Sequence, residues 1–180
     1  MTERQYVEIL AQHLRAATSA AVTVRAYGVG KDPRTVLDKA LNLLAAAERD
    51  GEPYDWSVLL VDVDSHVTLQ DCCRAGRAQG VGVAVSSPCF EIWLLWHYQD
   101  HAGNVDARAV GKLLERHGHT GKSLPARFPI STYTAAVARA VSADHEFAWS
   151  RIGPNPSSAV PLLVERMTGT STPANTSPPS

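Results

Sequence analysis

Two aspartates separated by one residue close an apolar run. In DWSVLLVDVDSH, Asp62 and Asp64 flank Val63 directly after Val58–Val61. A hydrophobic run without alternation reads as a strand buried on both faces, the pattern of a parallel sheet. Side chains alternate along a strand, so both carboxylates belong on one face where the strand leaves the core, with Val63 on the other. Two like charges held close repel unless something positive lies between them. The pair therefore asks for a cation, and carboxylate oxygens suit Mg²⁺ or Mn²⁺ rather than zinc. Such an ion polarises a phosphodiester and activates a water. The competing duty is to cap a helix starting near His66, but one cap serves one helix and the second acid is left over.

The elements around the pair predict how it is held. Residues from about Thr2 to Ala17 form an amphipathic helix with Tyr6, Ile9, Leu10 and Leu14 on one side. Val22–Tyr27 is β-branched and reads as a strand closing in Gly28 and Gly30. KDPRTVLDKALNLLAAAERDG is a helix with Asp32 as cap, Pro33 in the first turn and Gly51 past the end. The strand Trp56–Val61, a helix through Cys72–Gln79 and the short strand VGVAV follow. Strands alternating with helices through short loops predict an α/β fold with a parallel sheet. From residue 89 the pattern turns helical: CFEIWLLWHY, then stretches around Ala107–His117, Thr132–Ala143 and Ser157–Met167. We therefore expect one domain over 1–168, with an α/β core to about residue 88 and a helical part over 89–168. The polar, proline-rich tail 169–180 is expected to be disordered.

Ligands of open α/β sheets gather beyond the carboxyl ends of the strands. Three segments end there, GVGKDP, DVDSH and SSPCFE, and they bring Ser86, Ser87 and Glu91 towards Asp62 and Asp64. Pro88 in a first turn, Ser87 as cap and Glu91 at the third helical position also make a capping box, so Glu91 has both a structural and a ligand reading. In RHGHTGKSLP, Lys122 offers a point charge for phosphate or a developing negative charge, whereas His117 and His119 lack further donors at ligand spacing. GVGK lacks the remaining spacing of a phosphate loop. Trp93, Trp96 and Tyr98 could stack bases, but their helical spacing marks them as core. Cys89 and His97 stand too far apart along the expected helix to form a nucleophilic pair.

Composition narrows the class. The 180 residues carry 17 Lys+Arg against 18 Asp+Glu, so any nucleic-acid surface must be local rather than global. The three cysteines, Cys72, Cys73 and Cys89, are odd in number and not in a CxxC spacing, which reads as reduced core thiols. The chain shows no export signal and no apolar run of membrane length, so a cytoplasmic location is expected.

The order of segments resembles the RloB-like family. TERQYVEIL, GKDPRTVLDKA, DWSVLLVDVDSH, VAVSSPCFEIWLLWHY, GKSLP and NPSSAVPLLVERM carry the resemblance, and SSPCFEIWLLWHY is its most specific piece. The resemblance implies a Toprim-like parallel core and membership of restriction-linked, abortive-infection systems against phage. It implies that Asp62 and Asp64 form the Asp-x-Asp metal element, that Glu3 is a further metal ligand, that Glu91 is the family's constant acid, and that Lys122 neutralises phosphate. The family's opening strand and Glu-Gly have no counterpart here, and its Asn is Ser87. Either the true start lies upstream of Met1 or a strand has been lost, so the second of two ions is poorly supplied.

Three functions follow as expectations. The first is a Mg²⁺-dependent (or Mn²⁺-dependent) nuclease hydrolysing phosphodiesters in DNA or RNA. The second is a catalytically degenerate Toprim module that binds nucleic acid or a partner protein from a defence locus. The third is a haloacid-dehalogenase-like phosphotransferase, suggested by LLVDVDSHV with Ser86 and Lys122. His66 in place of the usual Thr or Val, and the lack of an acidic pair after a later strand, argue against this third reading.

Overall fold

A computed structural model of the protein describes residues 2–17, 23–28, 32–63, 68–121 and 123–169. Asp64, His66 and Lys122, together with Val22, Gly30 and the tail 170–180, lie outside the described residues. In chain order the elements are α1 (Thr2–Ala17), α2 (Pro33–Arg49), β1 (Val58–Asp62), α3 (Leu69–Ala78), β2 (Gly82–Ser87), α4 (Glu91–Leu95) and α5 (Ala107–Glu115). A 3₁₀ turn (Ile130–Thr132), α6 (Tyr133–Ala143), β3 (Ser157–Ser158) and α7 (Val160–Thr168) complete them.

Local chemistry explains α2 fully. Asp32 accepts from the backbone N–H groups of Arg34 and Thr35, Pro33 sits at the first position, and Gly51 beyond the end has φ 74°. That left-handed conformation is one a glycine adopts without steric penalty, which is how many helices stop.

The protein is α/β, with a small mixed sheet in the order β1-β2-β3. β1 and β2 are parallel, with Asp62 opposite Ser86, and β3 joins antiparallel through Ser86–Ser158 and Ser87–Ser157. The expected strand over Val22–Tyr27 is not formed over its described part, Thr23–Tyr27. Val24 and Ala26 pack against the main core, but Arg25 is held by side chains: it pairs with Glu52 at 2.9 Å and lies over the Tyr54 ring. Among the described residues, no strand pairs with this segment. Ser157–Ser158, expected as the start of a helix, is instead β3, because its partner is the distant Ser86–Ser87 edge. The carboxyl-terminal half thus contributes a strand as well as helices.

The β1 alternation sorts the core. Leu59 and Val61 join Val83, Val85, Leu37 of α2 and Leu69, Cys72 and Cys73 of α3 on one face. Val58 and Leu60 face the other way, towards the cluster built on Tyr6, Phe90, Trp93, Trp96 and Val110. Trp93 and Trp96 are wholly buried, so they are core, as their spacing implied. All three cysteines are buried free thiols. α4 is shorter than CFEIWLLWHY suggested, giving way to a turn after Leu95, yet Ile92–Leu95 are all wholly buried. Leu94→Ala should therefore lower unfolding free energy by about 2–5 kcal/mol, the range for truncating a fully buried leucine. Urea unfolding should show a lower midpoint at unchanged slope.

Candidate functional site

Asp62 ends β1 on the face of Val58 and Leu60, and Val63 packs on the opposite face, as strand alternation requires. α3 begins at Leu69, and Thr68 before it makes no side-chain cap bond. Asp62 Oδ1 accepts the backbone N–H of Phe90 at 2.8 Å. Phe90 immediately precedes α4, so the strand end satisfies a donor at the entrance of a buried helix. This corrects the capping box: Ser87 caps nothing, the Ser87–Pro88 peptide is cis, and Glu91 is the first residue of α4 rather than its third. Ser86 and Ser87 are buried in the sheet, with Ser86 Oγ 2.9 Å from Ser158 Oγ.

Glu3, Asp62 and Glu91 meet at one cavity of about 930 Å³, which Arg25, Lys39 and Tyr54 also line. The acids come from α1, the end of β1 and the first turn of α4. Glu3 is placed by Tyr6, one turn further along α1. The Tyr6 hydroxyl and His97 Nε2 are 3.2 Å apart, and His97 Nδ1 is 3.3 Å from the Pro129 carbonyl. Because a carbonyl can only accept, Nδ1 carries the proton and Nε2 accepts from Tyr6. Burial raises the Tyr6 hydroxyl far above its ordinary value and pushes the His97 imidazole down to about 4.

The described residues that flank position 122 in sequence are fastened to other elements. Upstream, His119 Nε2 lies 3.0 Å from the Tyr98 hydroxyl, and His117 stacks on the Tyr98 ring. Downstream, the Leu124 N–H donates to Gln5 Oε1 of α1 at 3.0 Å. Burial and then the neighbouring His117 hold the His119 imidazole below its usual range, while the Glu91 carboxylate pulls the other way. Burial first, and then the adjoining Glu91 and Asp62, raise the Cys89 thiol well above its normal range. Cys89 is a neighbour of Glu91, and His119 lies within its electrostatic reach, placements that composition and spacing did not reveal. Only the position of Cys89 within SSPCFE hinted at the first.

Carboxylates are hard oxygen donors, and that chemistry fits Mg²⁺ or Mn²⁺. Among the described residues, however, no group of three or more His, Cys, Asp or Glu stands close enough to hold a metal ion. Asp64, the second acid of the pair, lies outside those residues. Among them too, no helix is long and apolar enough to cross a membrane.

Fold and site together define an α/β protein with acids from three elements lining one cavity beside its first strand. The profile of the RloB-like protein family matches residues 1–167, and the chain belongs to that family. No curated protein and no solved structure matches the chain.

His97 makes the anchor of α1 sensitive to acid. Its folded-state value near 4 lies below the unfolded value of about 6.5, so the unfolded chain binds the extra proton between those limits. This contribution is complete above pH 6.5 and is lost as pH falls towards 4, on the order of 3 kcal/mol in all. Urea unfolding from pH 7.5 down to pH 4.5 should show this loss in the parent protein but not in His97→Gln.

Proposed function

We propose that the protein is a metal-dependent, Toprim-type nuclease of phage defence, acting in the cytoplasm on phosphodiesters of DNA or RNA. The observation that carries this reading is the convergence of Glu3, Asp62 and Glu91 on one cavity at the end of β1. Asp62, Asp64, Glu3 and Glu91 would hold Mg²⁺ or Mn²⁺ through carboxylate oxygens. When bound, the ion supplies Lewis-acid polarisation of the phosphodiester and an acidified water. The protein's own part is positional. The Phe90 N–H orients Asp62, the Tyr6–His97 contact fixes the helix that carries Glu3, and the start of α4 presents Glu91. Lys122 would meet the negative charge that develops on phosphate.

Asp62→Asn together with Asp64→Asn tests this directly. Asparagine keeps an oxygen for the Phe90 N–H while removing the charge, so the fold should survive by circular dichroism. Mg²⁺-dependent cleavage of labelled DNA and RNA should fall by at least about 100-fold, the scale of losing a principal metal contact. Cleavage at the parental rate would remove this site from the chemistry.

A second reading is a degenerate module that binds nucleic acid or a partner protein of a defence locus. It is favoured by the lack of an assembled three-ligand group among the described residues. Mg²⁺ titration followed by melting separates the two. A competent site should stabilise the fold by about 2–3 kcal/mol at 100 times its dissociation constant. The degenerate module should show no such shift.

A further inference from the structure

We propose that the outer face of α5 is a nucleic-acid backbone track leading to the acid-lined site. The inner face of α5 is set by Val110 and Leu114, which are buried in the main core. Outward stand Arg108, Lys112 and Arg116, all exposed, with no ion pair from any of them among the described residues. Their four-residue spacing stacks them along one side of the helix, each about 6 Å beyond the last. Glu115 shares that side and leaves it net positive by two charges, three cations against one acid.

Helix stability alone does not account for this face. Lys112 and Arg116 suit the carboxyl end of a helix, but Arg108 stands in the first turn, where the helix dipole disfavours a cation. Like charges four residues apart also repel. Gly111 adds a second, independent oddity, since glycine is the poorest helix former after proline. A Cβ at Gly111 would meet nothing within 4 Å, so no neighbouring element requires its absence. A missing side chain on the exposed half of a basic helix lets a ligand approach the backbone. A row of cations at regular spacing beside such a gap matches a polyanion, whose phosphates are neutralised without reading sequence.

The track has a direction. α5 ends at Glu115 with Arg116 as its C-cap, and the loop that follows places His119 against Tyr98 and within electrostatic reach of Glu91. Phosphates lying on the helix would feed the strand towards the cavity lined by Glu3, Asp62 and Glu91. The track deepens the nuclease reading and rests on it for its direction.

Binding is measured separately from cleavage, by anisotropy of fluorescein-labelled single-stranded DNA, single-stranded RNA and duplex DNA in EDTA. The variant R108Q/K112Q/R116Q should bind at least about tenfold more weakly at low salt. Its slope of log K against log salt should be shallower by roughly 2–3, as for three lost phosphate contacts. Gly111→Ala should melt at a higher temperature yet bind more weakly, a combination that a purely structural role does not produce. Comparison of the three probes identifies the polymer. Unchanged affinity and salt slope in the triple variant, or no binding of any probe by the parent protein, overturns the track. Equal binding by Gly111→Ala overturns the close backbone approach. Stripe-dependent binding without Mg²⁺-dependent cleavage overturns the nuclease reading and leaves the track in place.

Discussion

The bond from the Phe90 N–H to Asp62 Oδ1 joins the end of a strand to the mouth of the most buried helix, and much of the molecule is arranged around that junction. The first N–H groups of a helix have no partner within it, and those near a dense core cannot turn to water. No side chain at Phe90 serves that need, so the acceptor comes from 28 residues earlier in the chain. Asp62 thereby holds α4 in place while the site gains an acid of fixed orientation. The same contact explains how Glu91, which opens α4, comes to the cavity that Asp62 borders.

A second junction sets α1. Tyr6 is wholly buried among Phe90, Trp93, His97 and Phe128, with ring centroids 5.4–6.0 Å apart in edge-on arrangements. A hydroxyl in such surroundings must be paired, and neutral His97 is its partner. Trp93, in the same cluster, meets Tyr6 edge-on and lowers the Tyr6 hydroxyl that burial otherwise raises. Glu3 inherits its position from this arrangement, since it lies on the turn of α1 that precedes Tyr6.

How much could be read in advance depended on how far apart the deciding residues lie. α2 was legible from end to end because Asp32, Pro33 and Gly51 act on their own neighbours. α1, β1, α3 and β2 were legible to within a few residues for the same reason, and the alternation along β1 correctly separated Asp62 from Val63. α4 was not, because the acceptor for its first turn belongs to another strand and the SSPCFE pattern imitates a capping box. β3 was invisible, since two serines carry no strand pattern and pair only because Ser86 and Ser87 present an edge. Thr23–Tyr27 has the residue types of a strand, but the described sheet is β1-β2-β3 and does not include it.

The amino-acid sequence by itself determined the family, the α/β class, the pairing of Asp62 with a core strand and the candidacy of Glu91. These follow from periodicity, short-range caps and ordered motifs, all of which act within a few residues. Tertiary structure alone decided that Glu3, Asp62 and Glu91 line one cavity, that Asp62 serves the entrance of α4, and that His119 meets Tyr98. The physical reason is that buried donors and hydroxyls must find partners wherever the packed chain supplies them, and those partners lie tens of residues away.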